Sequence, residues 1–190
     1  MSSETTTVDP KQRLFDFLDS HGITDHKTLY HKRVYTCDEA EVCEGLPTAV
    51  SKTLFLKDST KPTPRYWIIV TLGRVRADWK YLSKAVGAKG RLKFGTEEEM
   101  VALLGVTPGS ATPFGLINDM EKHVVQVVID KCVLDDDVMT FHPLTNDATT
   151  IIKKEDFFKF LEATGHKVAA TVDSDANAAA VAAAAAAAEK

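Results

Sequence analysis

The chain has 190 residues, 44% of them hydrophobic and 26% charged, with a net charge of −4. That is the make-up of one ordinary globular domain, long enough to bury a core without disulfides or a structural metal. No apolar run reaches the roughly 18 residues of a membrane helix, and Met1–Thr7 lacks the basic start and apolar core of a leader. A cytoplasmic protein off the membrane is therefore expected.

Residues 1–8 are polar and read as a loose N-terminus. Asp9-Pro10 opens a helix, with Asp as cap and Pro in the first turn, and Leu14, Phe17 and Leu18 form its apolar stripe before His21-Gly22 ends it. A second short helix is expected after Thr36. Thr53–Leu56 and Tyr66–Leu72 read as strands separated by a turn-rich segment. Gly73 breaks the second, and Asp78 caps a helix through Trp79, Leu82 and Val86 that stops at Gly87. Arg91–Phe94 alternates like a short strand. Thr96 and Glu99 make a capping box for a helix ending at Gly105. His123–Asp130, Val138–Phe141 and Ala148–Ile152 read as strands, and Lys154 opens a helix striped by Phe157, Phe158 and Leu161 that ends at Gly165.

Helices and strands alternate irregularly, and several connections are too short for a crossover helix. The fold class expected is α+β, a mixed and partly antiparallel sheet flanked by helices. From Asp175 the composition turns to alanine, ending in Ala182–Ala188. Residues 174–190 therefore read as a tail outside a domain of residues 9–173, helical in part because alanine favours helix.

The three cysteines, Cys37, Cys43 and Cys132, sit at no metal or redox spacing and read as isolated reduced thiols. Charge is distributed unevenly. Residues 51–93 hold eleven Lys or Arg against Asp58 and Asp78 alone. Such a stretch either grips a phosphate backbone or is a set of solvated faces. There is no phosphate-binding Gly-rich loop, zinc spacing or nucleophile elbow. What remains is sparse. His142 follows a strand in Phe141-His-Pro-Leu, and can line a cleft or serve as a structural histidine. The Pro- and Gly-rich loop Val106–Asp119 can present backbone N–H groups to an oxyanion, or simply turn the chain. Lys52 stands before an apolar strand, where its ammonium can reach a phosphate or water.

In combination these pieces are distinctive. Lys52-Thr-Leu-Phe-Leu-Lys-Asp, Tyr66-Trp-Ile-Ile-Val, Asp78-Trp-Lys-Tyr-Leu, Leu104–Asp119 and Phe141-His-Pro-Leu-Thr-Asn-Asp-Ala-Thr-Thr follow one another in order. From about residue 10 to residue 173 the chain resembles the YbaK/prolyl-tRNA-synthetase-associated family of editing domains, and within it the PrdX (ProXp-ala) type. The resemblance implies that family's largely antiparallel curved sheet. It also implies a free-standing, metal-independent deacylase without cofactor, hydrolysing the ester of alanine wrongly attached to proline tRNA. Cysteinyl-tRNA is the alternative substrate, and a non-catalytic module bound to tRNA or a synthetase complex the alternative role. The implied partners are mischarged tRNA and prolyl-tRNA synthetase or its complexes.

The resemblance places Lys52, Gly109 and His142 as the catalytic set. Thr53, Ser110, Ala111, Thr112, Pro113, Phe141 and Asn146 are placed at the substrate, with Thr53 standing where many members have Asn. Lys52 is expected at the terminal phosphate or ester, the Gly109 and Ser110 backbone at the ester carbonyl or amine, and His142 with Phe141 around the amino-acid side chain. Arg74, Arg76, Lys89 and Arg91 of the basic stretch are the residues expected to hold tRNA. An aminoacyl ester is already activated, so positioning a water and stabilising the oxyanion is most of the task. Selection for alanine is then by size, which one or two methylenes cannot supply at the synthetase itself.

Overall fold

The computed structural model describes residues 9–33, 45–47 and 50–188. The helix expected after Thr36, with Cys37 and Cys43, lies outside the described residues, as does the N-terminal segment 1–8. Cys132 is free and buried.

The helices are α1 (Pro10–Ser20), α2 (Trp79–Ala85), α3 (Glu97–Leu104), α4 (Lys154–Ala163) and α5 (Ser174–Ala188). The strands are β1 (His26–Tyr30), β2 (Ser51–Lys57), β3 (Tyr66–Leu72), β4 (Lys93–Phe94), β5 (Val125–Asp130), β6 (Val138–Phe141), β7 (Ala148–Lys153) and β8 (Val168–Val172). They form two sheets, ordered β1-β7-β6 and β4-β2-β3-β5-β8. The three-stranded sheet and the β4-β2-β3 ribbon are antiparallel, whereas β3, β5 and β8 run parallel. The strand pairing is thus mixed and antiparallel in four of six pairs, as the sequence indicates.

β3 explains the layering. All seven of its residues are buried, because the large sheet is covered on both faces. Tyr66, Ile68, Val70 and Leu72 enter the main core with Leu14 and Leu18 of α1, Met139 and Ile152 of the small sheet, and Phe157, Phe160 and Leu161 of α4. Trp67 and Ile69 enter a second cluster with Leu82 of α2, Leu92, Val128 and Val172. The period of two sends alternate side chains to opposite layers.

The ends of the helices follow the local signals. Asp9 caps α1, Asp78 caps α2 by accepting from the N–H groups of Lys80 and Tyr81, and Thr96 with Glu99 closes a reciprocal box on α3. β1 and β8 are additions to the sequence reading. The expected strands at residues 91 and 123 are shorter, pairing only as Lys93–Phe94 and Val125–Asp130. The alanine-rich segment is a helix whose first turn is tied down: Ser174 N–H donates to Asp130, Asp175 pairs with Arg74, and Asn177 bonds Asp78. From Ala178 to Ala186 its side chains are exposed. Among the described residues no helix is long and apolar enough to cross a membrane.

The two sheets meet where the functional cleft begins. Ser51 N–H donates to Thr140 Oγ1 at 2.8 Å, and Thr140 N–H donates back to Ser51 Oγ at 3.2 Å. Side chains here complete a pairing that the backbones of β2 and β6 do not make.

Candidate active site

A cleft of about 490 Å³ opens along the edge of β2, with the start of α3 on one side and the end of β6 on the other. Lys52, Thr53, Gly109, Ala111, Phe141 and His142 all line it, beside Phe94, Met100 and Thr140. Residues separated by some ninety positions in sequence therefore share one concavity.

The floor is a strand edge. Lys52–Leu56 pair with β3 on one side, while β4 reaches only Leu56 and Lys57 on the other. Gly95 N–H donates to the Phe55 carbonyl at 3.0 Å on that second side. Hydrogen-bonding groups alternate in direction along a strand, so the N–H and C=O of Thr53 also point away from β3, into the cleft. Whatever its side chain lacks relative to Asn, the backbone of Thr53 presents both a donor and an acceptor.

Lys52 is anchored. Its ammonium donates to the carbonyls of Val75 at 2.6 Å and Gly73 at 3.1 Å, in the turn after β3. An ammonium has three donors, and two carbonyls hold it at a fixed place with one N–H left for a ligand.

The loop after α3 is a tight turn. Ser110 N–H bonds the Thr107 carbonyl at 3.0 Å, with Pro108 and Gly109 between them and Gly109 at φ 88°. This is a type II arrangement, which wants Pro first and a residue tolerant of positive φ second. The Gly109 N–H is the outward amide of such a turn. The structure places Ser110 differently from its neighbours: its N–H closes the turn, the residue is 2% exposed, and it is not among the residues that line the cleft. Thr112 and Pro113 are also buried behind the loop, where Thr112 accepts from Phe114 N–H and starts the 3-10 turn Pro113–Asn118. Asn146 is buried and does not line the cleft. Ser110, Thr112, Pro113 and Asn146 thus lie buried behind the residues that line the cleft.

His142 is half-buried, with Nδ1 at 2.9 Å from the Ala148 carbonyl. Only an N–H can satisfy a carbonyl, so Nδ1 carries the proton and Nε2 offers a lone pair. Burial lowers its pKa below the ordinary 6.5; the Ala148 bond opposes this and His31 reinforces it. His142 is therefore a neutral acceptor at pH 7. Its loop is tied to α1 by Lys11–Asp147 at 3.1 Å and to β1 by His31 N–H on the Asp147 carbonyl.

His31 is a residue the sequence does not single out. Its ring lies 6.3 Å from that of His142, and its Nε2 is 2.9 Å from Oγ1 of Thr149, which lines the cleft. The partner is 118 positions away, so no local pattern announces it. The α3 wall is stiffened by Lys57, which holds both Glu99 oxygens at 2.5 and 2.6 Å while Tyr66 OH donates to one of them.

The basic residues expected to hold tRNA divide. Arg74 is engaged twice by Asp175, at 3.0 and 2.8 Å. Arg76, Lys89 and Arg91 are exposed. The loop carrying Lys89 and Arg91 is organised by Asp58, a buried carboxylate that accepts from Thr60, Arg65 and the Lys89 N–H. Burial alone would raise its pKa, but the bonds from Thr60 and Arg65 prevail and hold it far below the usual carboxylate range.

A family model described as the aminoacyl-tRNA editing domain matches residues 31–160. The chain belongs to that family. Within the family it is ProX-like. It is 32% identical over 165 residues to the prolyl-tRNA editing protein ProX of Acetoanaerobium sticklandii, covering 86% of this chain and 97% of that one. It is 37% identical over 144 residues to the mouse prolyl-tRNA synthetase associated domain-containing protein 1, covering 74% and 83%. A solved structure provisionally described as a trans-editing enzyme for prolyl-tRNA synthetase superposes with a TM-score of 0.65 at 19% identity, over 88% of this chain and 98% of that one.

Proposed function

We propose that this trans-editing domain hydrolyses the ester of alanine mischarged on proline tRNA. The observation that carries the reading is the convergence of Lys52, the Gly109 turn, His142 and the open edge at Thr53 in one cleft. Each is held in place by the protein before any ligand arrives.

The chemistry follows from the geometry. Water attacks the ester carbonyl, whose oxygen becomes an anion; the Gly109 amide and the third N–H of Lys52 are the donors suited to it. The neutral His142 accepts a hydrogen from that water at Nε2, and the ribose oxygen leaves with a proton when the C–O bond breaks. The Thr53 carbonyl takes the substrate's ammonium. Phe141, packed edge-on against Phe114 at 5.5 Å, closes the end where a longer side chain would go. No step is assigned to a metal or cofactor. The site acts in the cytoplasm, on tRNA released from or delivered by prolyl-tRNA synthetase.

The test is deacylation of labelled Ala-tRNA(Pro) beside Cys-tRNA(Pro), Pro-tRNA(Pro) and Ala-tRNA(Ala). Release of alanine from the proline tRNA, with prolyl ester spared, is expected. Preferential loss of cysteine moves the specificity to the rival substrate, and binding without turnover of any ester makes the domain a tRNA-binding module.

A further inference from the structure

We infer that Phe94 of the short strand β4, backed by Trp79, is the platform on which the terminal nucleobase of the tRNA stacks when its ester enters the cleft. The inference rests on the deacylase reading and adds a positioning residue to it.

Phe94 is 58% exposed although it is a large aromatic, and it stands among the residues that line the cleft. Its position is set from two sides. β4 is only two residues long, with Lys93 opposite Lys57 and Phe94 opposite Leu56. Gly95 then turns back onto β2, donating to the Phe55 carbonyl, and comes so close that a Cβ there would lie 2.3 Å from the Phe55 ring. On the other side Trp79 meets Phe94 edge-on, with centroids 5.2 Å apart and planes at 81°. Trp79 in turn packs on the second core cluster at the start of α2. A ring held this way by an edge contact keeps a face open for a stacking partner, and little freedom is lost when one arrives.

The occupant is defined by the chemistry of the ester. One side of that ester is an alanyl group, whose single methyl is enclosed near Phe141 and cannot reach a rim. The other side is a ribose that carries a base and a phosphate. An exposed π-faced ring matches the base, and the exposed Arg91 and Lys93 just before it in the chain are the nearest cations in sequence for the phosphate. The platform would also sort productive from unproductive arrivals, because an ester whose base is unstacked is free to swing out of reach of Gly109 and His142.

The experiment uses the whole protein with Phe94→Ala, Phe94→Leu and Phe94→Tyr. Leucine keeps an apolar contact for Trp79 but has no π face; tyrosine keeps the face. Kinetics on Ala-tRNA(Pro) are measured with adenosine monophosphate or ribose 5-phosphate as competitor. Binding of a CCA trinucleotide is followed by tryptophan fluorescence, in which Trp79 is the partly exposed reporter and Trp67 is buried. Expected are a roughly tenfold higher KM in the Ala and Leu variants with kcat within about twofold, and near wild-type values for Tyr. Adenosine monophosphate should inhibit the wild type and the Tyr variant, but not the other two, and ribose 5-phosphate should act equally on all four. Unchanged KM and CCA binding in the Leu variant overturn the platform while leaving the deacylase reading intact. A wild-type protein that turns over no ester, yet binds CCA through Phe94, overturns the deacylase reading and keeps the platform. Failure of both turnover and CCA binding overturns both.

Discussion

The floor of the cleft and the basic arc of residues 74–93 are built on opposite plans. In the floor, polar groups are held by the protein itself: Lys52 by two carbonyls, His142 by Ala148, His31 by Thr149, the Gly109 turn by Ser110 and Thr107. In the arc, Arg76, Lys80, Lys89, Arg91 and Lys93 are exposed. The difference matches two tasks. A developing oxyanion is stabilised only by donors already in place, because reorganising them during the reaction forfeits the gain. A phosphate backbone needs only a field of adaptable cations, since its contribution comes from displaced counterions.

If that division is correct, the floor should fail steeply and the arc gradually. Lys52→Ala removes a fixed donor and should lower single-turnover deacylation about a hundredfold. Lys52→Arg should not restore it, because a planar fork does not replace a point charge set between two carbonyls. Turnover within a few-fold of wild type in the alanine variant would take Lys52 out of the chemistry and leave it a clip for the turn at Gly73.

Gly109→Ala tests the same wall through the backbone. A residue at φ 88° strains any L side chain, so the variant should lose about 1–2 kcal/mol of stability. It should also lose more than tenfold in rate, because the turn that aims its amide is disturbed. Melting midpoint and single-turnover rate are measured on the same preparation. An early melt with a normal rate in the folded fraction would reduce the loop to scaffold.

Acid provides a third way in. The pKa of His142 lies below the usual 6.5, so the unfolded chain binds its proton before the folded one does. Its contribution to stability is complete above pH 6.5 and is lost as pH falls through the lowered folded value. Activity that needs a neutral Nε2 should follow the same window, flat from pH 8 to 6.5 and declining only below. His142→Gln should abolish that acid limb. A limb that persists in this variant belongs to another group.

What the sequence discloses follows from where the signal is stored. Asp9-Pro10, Asp78 and the Thr96–Glu99 box lie within a few residues of the N–H groups they satisfy, so the ends of α1, α2 and α3 are readable. β3 is readable because burial on both faces demands a nearly continuous apolar run, broken here only by Thr71. β1, His-Lys-Thr-Leu-Tyr, has an irregular burial pattern and owes its existence to β7, a partner that leaves no trace nearby. The same holds inside the site. Lys52, Gly109 and His142 are recognisable by family pattern, yet that pattern does not say that the Ser110 amide is already used, that the Thr53 backbone groups turn away from β3, or that Phe94 stands exposed beside the cleft. Each of those depends on a hydrogen-bond direction or a long-range packing contact.

The smallest expected effect concerns Arg74, and it tests whether the arc is really free. In a log–log titration of tRNA affinity against salt, each phosphate contact contributes a slope of about one. Arg91→Ala should lower the slope by close to that amount. Arg74→Ala should lower it by less, because its guanidinium is already committed to Asp175 from α5 and a phosphate has to displace that carboxylate. The exchange trades one anion for another, so few additional counterions are released. Asp175→Asn frees the guanidinium without altering the cleft, and should steepen the slope toward that of a protein with one more contact. Arg74→Ala in the Asp175→Asn background should then cost as much as Arg91→Ala. Equal slopes for Arg74→Ala and Arg91→Ala with Asp175 intact would mean that the exposed pair opens at no cost, and that the first turn of α5 exerts no restraint on how the arc meets RNA.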